Sequence, residues 1–320
     1  MAQSQANFAD VHRLAQAGRL DEAFDLILIL ADQGEPEALI TLANFYWQGG
    51  PVEQDPHRAR ELFQRASEAG HPIGRMFYTN LLANGVFGAR DWIGAIDRLK
   101  DERTLDPYRA RVLGALEEMD LDDAGAPRGT PAPQSLSPEL EVNLFPGLFS
   151  PTECDLVLAA AEHRYLRSTI HDAQGREVPH PFRSSEGAPI HWLIEDPALQ
   201  ALNRRLAKAS DTEYEQAEPL LVLRYQRGHE YRRHFDALPG LENQRIKTAL
   251  IYLNDEYTGG ETEFPRLNLK IKGRKGDVLV FRNARADGSP DPLSEHAGLP
   301  VLTGVKYLGS RWIRTTRHLP

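Results

Sequence analysis

Two rhythms of apolar residues run along this chain, and they meet near residue 120. In the N-terminal third, Ala59, Phe63 and Ala66 recur at steps of four and three, the spacing that lines one face of a helix. The stretch DLDDAGAPRGTPAPQSLSP at 120–138 then has no apolar periodicity and is rich in Pro, Gly, Ala and Asp, so it reads as a linker. Beyond it, Ser150-Pro151-Thr152-Glu153 has the form of a helix start: a capping serine, a proline in the first turn and a glutamate that can close a capping box. Leu156, Val157, Ala160 and Ala161 continue it at helical spacing, and a second helix is expected over Leu199 to Ala209. From about 219 onward the rhythm is that of strands: LLVLRY (220–225), TALIYLN (248–254), LNLKI (267–271), DVLVFR (277–282) and VKYLGSRWIRTT (305–316). Many short strands separated by Gly, Asp and Asn clusters predict a barrel or a double-sheet jelly roll.

The helical third also repeats itself. Gly34 and Gly70 lie 36 residues apart, as do Tyr46 and Leu82, Gly49 and Gly85, Asp55 and Asp91, Ala59 and Ala95, and Phe63 and Leu99. A fixed period in this range marks stacked helix pairs, each of which needs a neighbour to bury its apolar face. The segments ALITLANFYWQGGPVEQDPHRARELFQRASEAG and GRMFYTNLLANGVFGARDWIGAIDRLKD resemble Sel1-like repeats, relatives of the tetratricopeptide repeat. That resemblance implies binding of a protein or peptide, with a helical cap over the second domain as the plainer alternative.

Composition narrows the classes. With 41% hydrophobic and 26% charged residues, the 320-residue chain is an ordinary globular protein, long enough for two domains. A net charge of −9 argues against non-specific binding of nucleic acid or of an anionic membrane. Cys154 is the single cysteine, which excludes an internal disulfide and a multi-cysteine zinc site. The start MAQSQANFADVHRLAQ lacks a basic head with an apolar core, and the longest apolar run, Leu26 to Ala31, is far shorter than the roughly 20 residues a membrane span needs. A soluble, cytoplasmic protein is expected.

The candidate chemistry begins at His234-Phe235-Asp236, just after the first strand run. Residues two apart on a strand face one side, so the imidazole and carboxylate can meet one ion. His296, 62 residues on, can supply a third ligand, and two histidines with one carboxylate form the open-faced triad of non-haem iron(II) oxygenases. Lys306 follows ten residues later on a strand, where an ammonium can hold the far carboxylate of a dianionic cosubstrate. His171, His180, His191 and His318 are read as having no metal role, and His229 as a turn residue. Gly259-Gly260-Glu261-Thr262 is read as a tight structural turn, and the 283–295 segment as either a flap or a surface loop.

The segments LRYQRGHEYRRHFD, TALIYLNDEYTGGETEFP, GRKGDVLVFRN and HAGLPVLTGVKYLGSRWIR resemble the prolyl 4-hydroxylase branch of the iron/2-oxoglutarate oxygenases. Arg183-Ser184-Ser185 matches a further family segment. The resemblance implies an α+β multidomain chain: an α/α solenoid at 1–119, the linker at 120–138, and a double-stranded β-helix (jelly roll) with flanking helices at 139–320, its core at 219–318. It implies Fe(2+) on His234, Asp236 and His296, 2-oxoglutarate on Lys306 with Tyr225 and Tyr252, O2 as oxidant and ascorbate as reductant. Trp312 is read as a pocket wall. The implied reaction converts 2-oxoglutarate to succinate and CO2 while hydroxylating an unactivated C–H bond, that of a prolyl residue in a protein or peptide recruited in part by the repeats. A free amino acid or small molecule as substrate, or a non-catalytic scaffold, are the alternatives. Lysine rather than arginine at 306 places the chain nearer the collagen-type and algal or viral-type members.

Overall fold

The computed structural model describes residues 7–171, 177–179 and 182–319. The chain forms two compact units, Met1–Leu113 with Trp192–Pro197, and Gly114–His191 with Ala198–Pro320. Among the described residues, no helix is long and apolar enough to cross a membrane.

The helical unit is built from α1 (Phe8–Gln16), α2 (Leu20–Asp32), α3 (Pro36–Gln48), α4 (Pro56–Glu68), α5 (Pro72–Asn84) and α6 (Trp92–Glu102), and from the start of α7 (Pro107–Glu118). The 36-residue register explains these elements position by position. Asp55 and Asp91 are the N-caps of α4 and α6, accepting from the amides of Arg58 and Gly94. Their own amides donate to the carbonyls of Tyr46 and Leu82, the same bond in each repeat, at 2.8 Å. Gly49 and Gly85 end α3 and α5 with φ of 78° and 76°, a conformation that favours glycine. Ala59 and Ala95, like Phe63 and Leu99, are completely buried where neighbouring helices meet. The segment Trp192–Pro197 belongs to this unit through buried polar side chains. Asn80 and Asn84 donate to the Leu193 and Trp192 carbonyls at 2.8 and 2.9 Å, and the Tyr108 hydroxyl donates to Asp196 at 2.7 Å.

The second unit carries α8 (Pro151–Ala161), α9 (Pro197–Ser210) and an antiparallel strand system. The strands are β1 (Gln134–Ser137), β2 (Val142–Phe145), β3 (Leu166–Arg167), β4 (Thr169–His171), β5 (Glu177–Pro179), β6 (Glu186–Ile190), β7 (Leu220–Tyr225) and β8 (Tyr231–His234). They continue with β9 (Arg245–Tyr252), β10 (Tyr257–Gly259), β11 (Thr262–Phe264), β12 (Leu269–Ile271), β13 (Val278–Arg282), β14 (His296–Gly298), β15 (Val301–Gly304) and β16 (Lys306–Arg314). A large sheet has the order β1-β2-β13-β9-β16-β7-β6-β3, and a smaller one β12-β11-β14-β8. Leu223, Leu250, Phe281 and Leu308 of the large sheet share one core with Phe264 and Ile271 of the small one, the arrangement of a jelly roll. Helix α8 starts where its capping box predicts, with Ser150 Oγ accepting from the Glu153 amide and Glu153 accepting from the Ser150 amide.

The expected linker at 120–138 is ordered in part. Gln134–Ser137 is β1, pairing with β2 at the rim of the large sheet. An edge strand satisfies only one side of its backbone and buries little, so its polar sequence carries no alternation to read. Residues 122–126 form a turn in which Asp122 accepts from the Ala124 and Ala126 amides.

Candidate active site

Three donors converge at the small sheet. His234 ends β8 and His296 begins β14, directly opposite it in register. Asp236 lies two residues past the end of β8, so strand alternation alone does not place it. Thr248 on β9 does: its hydroxyl donates to Asp236 Oδ2 at 2.6 Å and accepts from Asn283 Nδ2 at 2.7 Å. His234 Nε2 is 3.6 Å from Asp236 Oδ1, His296 Nε2 is 3.7 Å from Oδ2, and the ligand-capable atoms of all three lie within 4.8 Å of one another. Among the described residues this is the single such cluster. His180 and the side chain of His171 lie outside the described residues.

The donor chemistry fits a divalent metal. His234 Nδ1 is 2.7 Å from the Arg232 carbonyl, and His296 Nδ1 is 2.9 Å from the Ser294 carbonyl. A carbonyl oxygen can only accept, so each Nδ1 carries the proton and each Nε2 presents a lone pair toward Asp236. Burial pushes His296 down to about 4, with His234 adding to the effect, which leaves its ring neutral at pH 7. For Asp236, burial would raise the carboxyl, but His296, His234 and the Thr248 hydroxyl outweigh it and hold it well below the usual carboxylate range. Two imidazoles and one carboxylate are the set that leaves coordination positions open for other ligands.

The cavity beside the cluster is lined by every second residue of β16, namely Lys306, Leu308, Ser310 and Trp312, the period of a strand facing inward. Lys306 is 2% exposed, yet among the described residues no carboxylate pairs with it; its Nζ donates to the Gly260 carbonyl at 2.7 Å. Burial lowers it to about 8, so it remains a cation at neutral pH. Tyr225 is its direct partner across β7 and β16, with the ammonium 5.5 Å from the ring, and burial pushes its hydroxyl up to about 12. A buried ammonium with spare donors beside a neutral phenol suits a carboxylate arriving from the cavity. Thr262 of β11 lines the same space.

Tyr252, expected beside the cosubstrate, stands next to Lys306, whose Nζ is 5.8 Å from its ring, although it is not among the residues that line the cavity. It is the last residue of β9, beyond the lining Leu250; its ring packs where Gly273 leaves room, and its hydroxyl is 3.2 Å from Thr262 Oγ1. It therefore supports Thr262 from behind. Trp312 does line the cavity, as do Arg183 and Tyr231, which sequence reasoning had respectively noted only by resemblance and missed. Tyr231 stacks on His234 with ring centroids 3.5 Å apart, and the Arg183 guanidinium stands 5.4 Å over Tyr231. Strand alternation gave no signal for Tyr231, since it stands three residues before His234 and a period of two assigns the pair to opposite faces.

The 283–295 segment is a turn tied down by hydrogen bonds at both of its ends. Asn283, Asp291 and Ser294 are buried, the Ser294 hydroxyl donates to the Asn283 and Asp291 carbonyls, and Arg282 lies 3.1 Å from Asp291. It delivers the carbonyl that orients His296.

Residues 220–314 match the 2OG-Fe(II) oxygenase superfamily. Prolyl 4-hydroxylase 1 of Arabidopsis thaliana is 32% identical over 206 residues, which covers 58% of this chain and 73% of the plant protein. A solved structure of viral collagen prolyl hydroxylase from Paramecium Bursaria Chlorella virus-1, in complex with 2OG, aligns over 55% of this chain and 96% of its own, at 27% identity and a TM-score of 0.42. A Sel1 repeat protein from Oxalobacter formigenes aligns over 33% of this chain and 84% of its own, at 21% identity and a TM-score of 0.31. On the family match and the plant relative, the chain belongs to the 2OG-Fe(II) oxygenases, in the prolyl 4-hydroxylase family. It is a 2-oxoglutarate-dependent dioxygenase.

Proposed function

We propose that this chain hydroxylates a prolyl residue of a protein or peptide, with His234, Asp236 and His296 as iron ligands and Lys306 as the anchor of 2-oxoglutarate. The observation that carries the reaction is one cavity lined by both a two-histidine, one-carboxylate cluster and a buried lysine that forms no ion pair among the described residues. Support for the prolyl target is the plant relative, a prolyl 4-hydroxylase. Iron(II) held there supplies the activation of O2 that couples decarboxylation of 2-oxoglutarate to oxygen insertion into a C–H bond.

The chain's own residues do the rest. The Arg232 and Ser294 carbonyls fix both imidazole tautomers, and Thr248 fixes the carboxylate. Lys306, Tyr225 and Thr262 receive the distal carboxylate of 2-oxoglutarate. Leu223, Leu250 and Leu308 make the wall between apolar, which excludes water. Arg183, Tyr231 and Trp312 complete the wall with groups suited to a peptide. Ascorbate serves as the reductant by the same family reasoning.

The test is succinate release together with one added oxygen on a proline-containing peptide, read by mass spectrometry, with iron(II), 2-oxoglutarate and O2 supplied. His234→Ala and Asp236→Ala are each expected to abolish both signals. Activity surviving either change would remove the ligand assignment. Oxygen on free proline but on no peptide would move the substrate to the small-molecule class.

A further inference from the structure

The helical unit holds a cavity of its own, about 260 Å³, lined by Ser67, Arg75, Arg98, Asp101 and Glu102 from α4, α5 and α6. Small-molecule sites run to about 300–1,000 Å³, so this one suits a side chain or a chain end better than a whole cofactor. Its charge is organised. Glu102 is spent on Arg109, at 2.7 Å, with both side chains buried. Glu102 also accepts from Thr79 Oγ1 at 2.5 Å. Arg98 has no carboxylate partner among the described residues. Instead its Nε donates to Thr79 Oγ1 at 3.0 Å, one terminal nitrogen donates to Ser67 Oγ, and its guanidinium stands 5.0 Å over the Tyr78 ring. Arg75, half-buried on α5, likewise has no ion-pair partner among the described residues. Asp101 is the one acidic group on the wall not committed elsewhere, and the two arginines outnumber it.

A guanidinium stacked on an aromatic ring and bonded to two hydroxyls has already lost its rotamer freedom, so binding a planar anion costs it little further order. Its remaining donors form a fork that matches a carboxylate. We infer that this cavity binds a carboxylate of an acidic peptide segment on a partner protein, held by Arg98 and Arg75. The chain's net charge of −9 opposes a long polyanion, while a single carboxylate in a locally positive recess feels chiefly the two arginines. Binding here needs neither iron nor 2-oxoglutarate, so its failure would leave the catalytic reading untouched.

The experiment is fluorescence anisotropy on the full chain with a fluorescein-labelled hexapeptide of alternating aspartate and glutamate. Its C-terminal amide and a lysine counterpart run beside it. Saturable binding of the acidic probe and none of the lysine probe is expected. Arg98→Lys keeps the charge but loses the fork and the stacking, and is expected to weaken binding about tenfold or more; Arg75→Ala is expected to do the same. Arg58→Ala, on exposed α4 surface beside Glu61, is expected to change nothing. Unaltered binding of the amide would assign a side-chain carboxylate, and its loss a chain terminus; both support the site. Should Arg98→Lys fail to fold by circular dichroism, Arg75→Ala carries the test. No saturable binding, equal loss with Arg58→Ala, or no loss with Arg75→Ala would overturn the inference.

Discussion

At the scale of single residues, the site depends on groups kept in the protonation state that their job requires. Lys306 is the sharpest case. Burial lowers it from 10.5 to about 8, so the folded protein gives up this proton before the unfolded chain does. Below about 8 the buried charge is a cost to stability, and that cost fades as pH rises from about 8 toward 10.5, where the unfolded chain binds more protons. Binding of 2-oxoglutarate has the opposite sign, because it needs the charged form. The apparent KM for 2-oxoglutarate is expected to be flat up to about pH 8 and then to rise about tenfold per unit, until the pKa of the complex is reached. Lys306→Arg is expected to raise KM at all pH values and to abolish that upturn; an upturn that survives the change would assign it to another group. Thr248 gives a second prediction. Thr248→Val keeps the shape but removes the hydroxyl between Asp236 and Asn283, and iron(II) affinity is expected to fall about 10–100-fold, measured by metal titration. Unchanged affinity would mean that Asp236 needs no orienting partner.

At the scale of elements, β16 and the turn before β11 set the site. Gly259 and Gly260 both have positive φ, 70° and 69°, and differ in what a side chain would meet. A Cβ on Gly259 would come within 2.5 Å of the Pro300 carbonyl oxygen, whereas on Gly260 it would stand 3.2 Å from the Lys306 side chain. Gly259→Ala is therefore expected to be the more destabilising, by about 2 kcal/mol or more in chemical denaturation. Gly260→Ala is expected to be milder there but to raise the KM for 2-oxoglutarate, since the Gly260 carbonyl holds Lys306 Nζ. The reverse order would show that the turn serves the fold alone. This turn also marks the limit of what sequence shows. The adjacent glycines announce a tight turn, but nothing local says that its carbonyl meets a lysine 46 residues away. Lys306 was legible because it falls in a strand run whose period fixes its face, whereas His234 and His296 lie outside the strand runs read from sequence and were found by residue type and resemblance. Asp236 was found by type and spacing, although what aims it is Thr248 on another strand. β1 was missed because an exposed rim strand has no apolar alternation to betray it.

At the scale of the molecule, the chain returns to its helical unit after 78 residues spent elsewhere, and the return carries Trp192–Pro197. The 36-residue repeat foretells the stacked helices but is silent about this segment, because its anchors are single polar side chains with no period. The Tyr108 hydroxyl is the cleanest handle, donating at 2.7 Å to Asp196, which is 1% exposed. A hydrogen bond to a charged group contributes about 1.5–3 kcal/mol. Tyr108→Phe in the full chain is expected to lower the stability of the helical unit by about that amount, read from far-UV ellipticity in urea. In a fragment of residues 1–119 the acceptor is missing, so the same substitution is expected to cost close to nothing. The fragment itself is expected to unfold at lower urea than the helical unit of the full chain, since Asn80 and Asn84 also lose their partners there. The difference between the two substitution costs reports what the Tyr108 hydroxyl gains from the residues absent in the fragment, Asp196 among them. If Tyr108→Phe costs the same in both backgrounds, the hydroxyl does not act through Asp196. Stacked repeats would then supply the stability of the helical unit without that anchor on the returning segment.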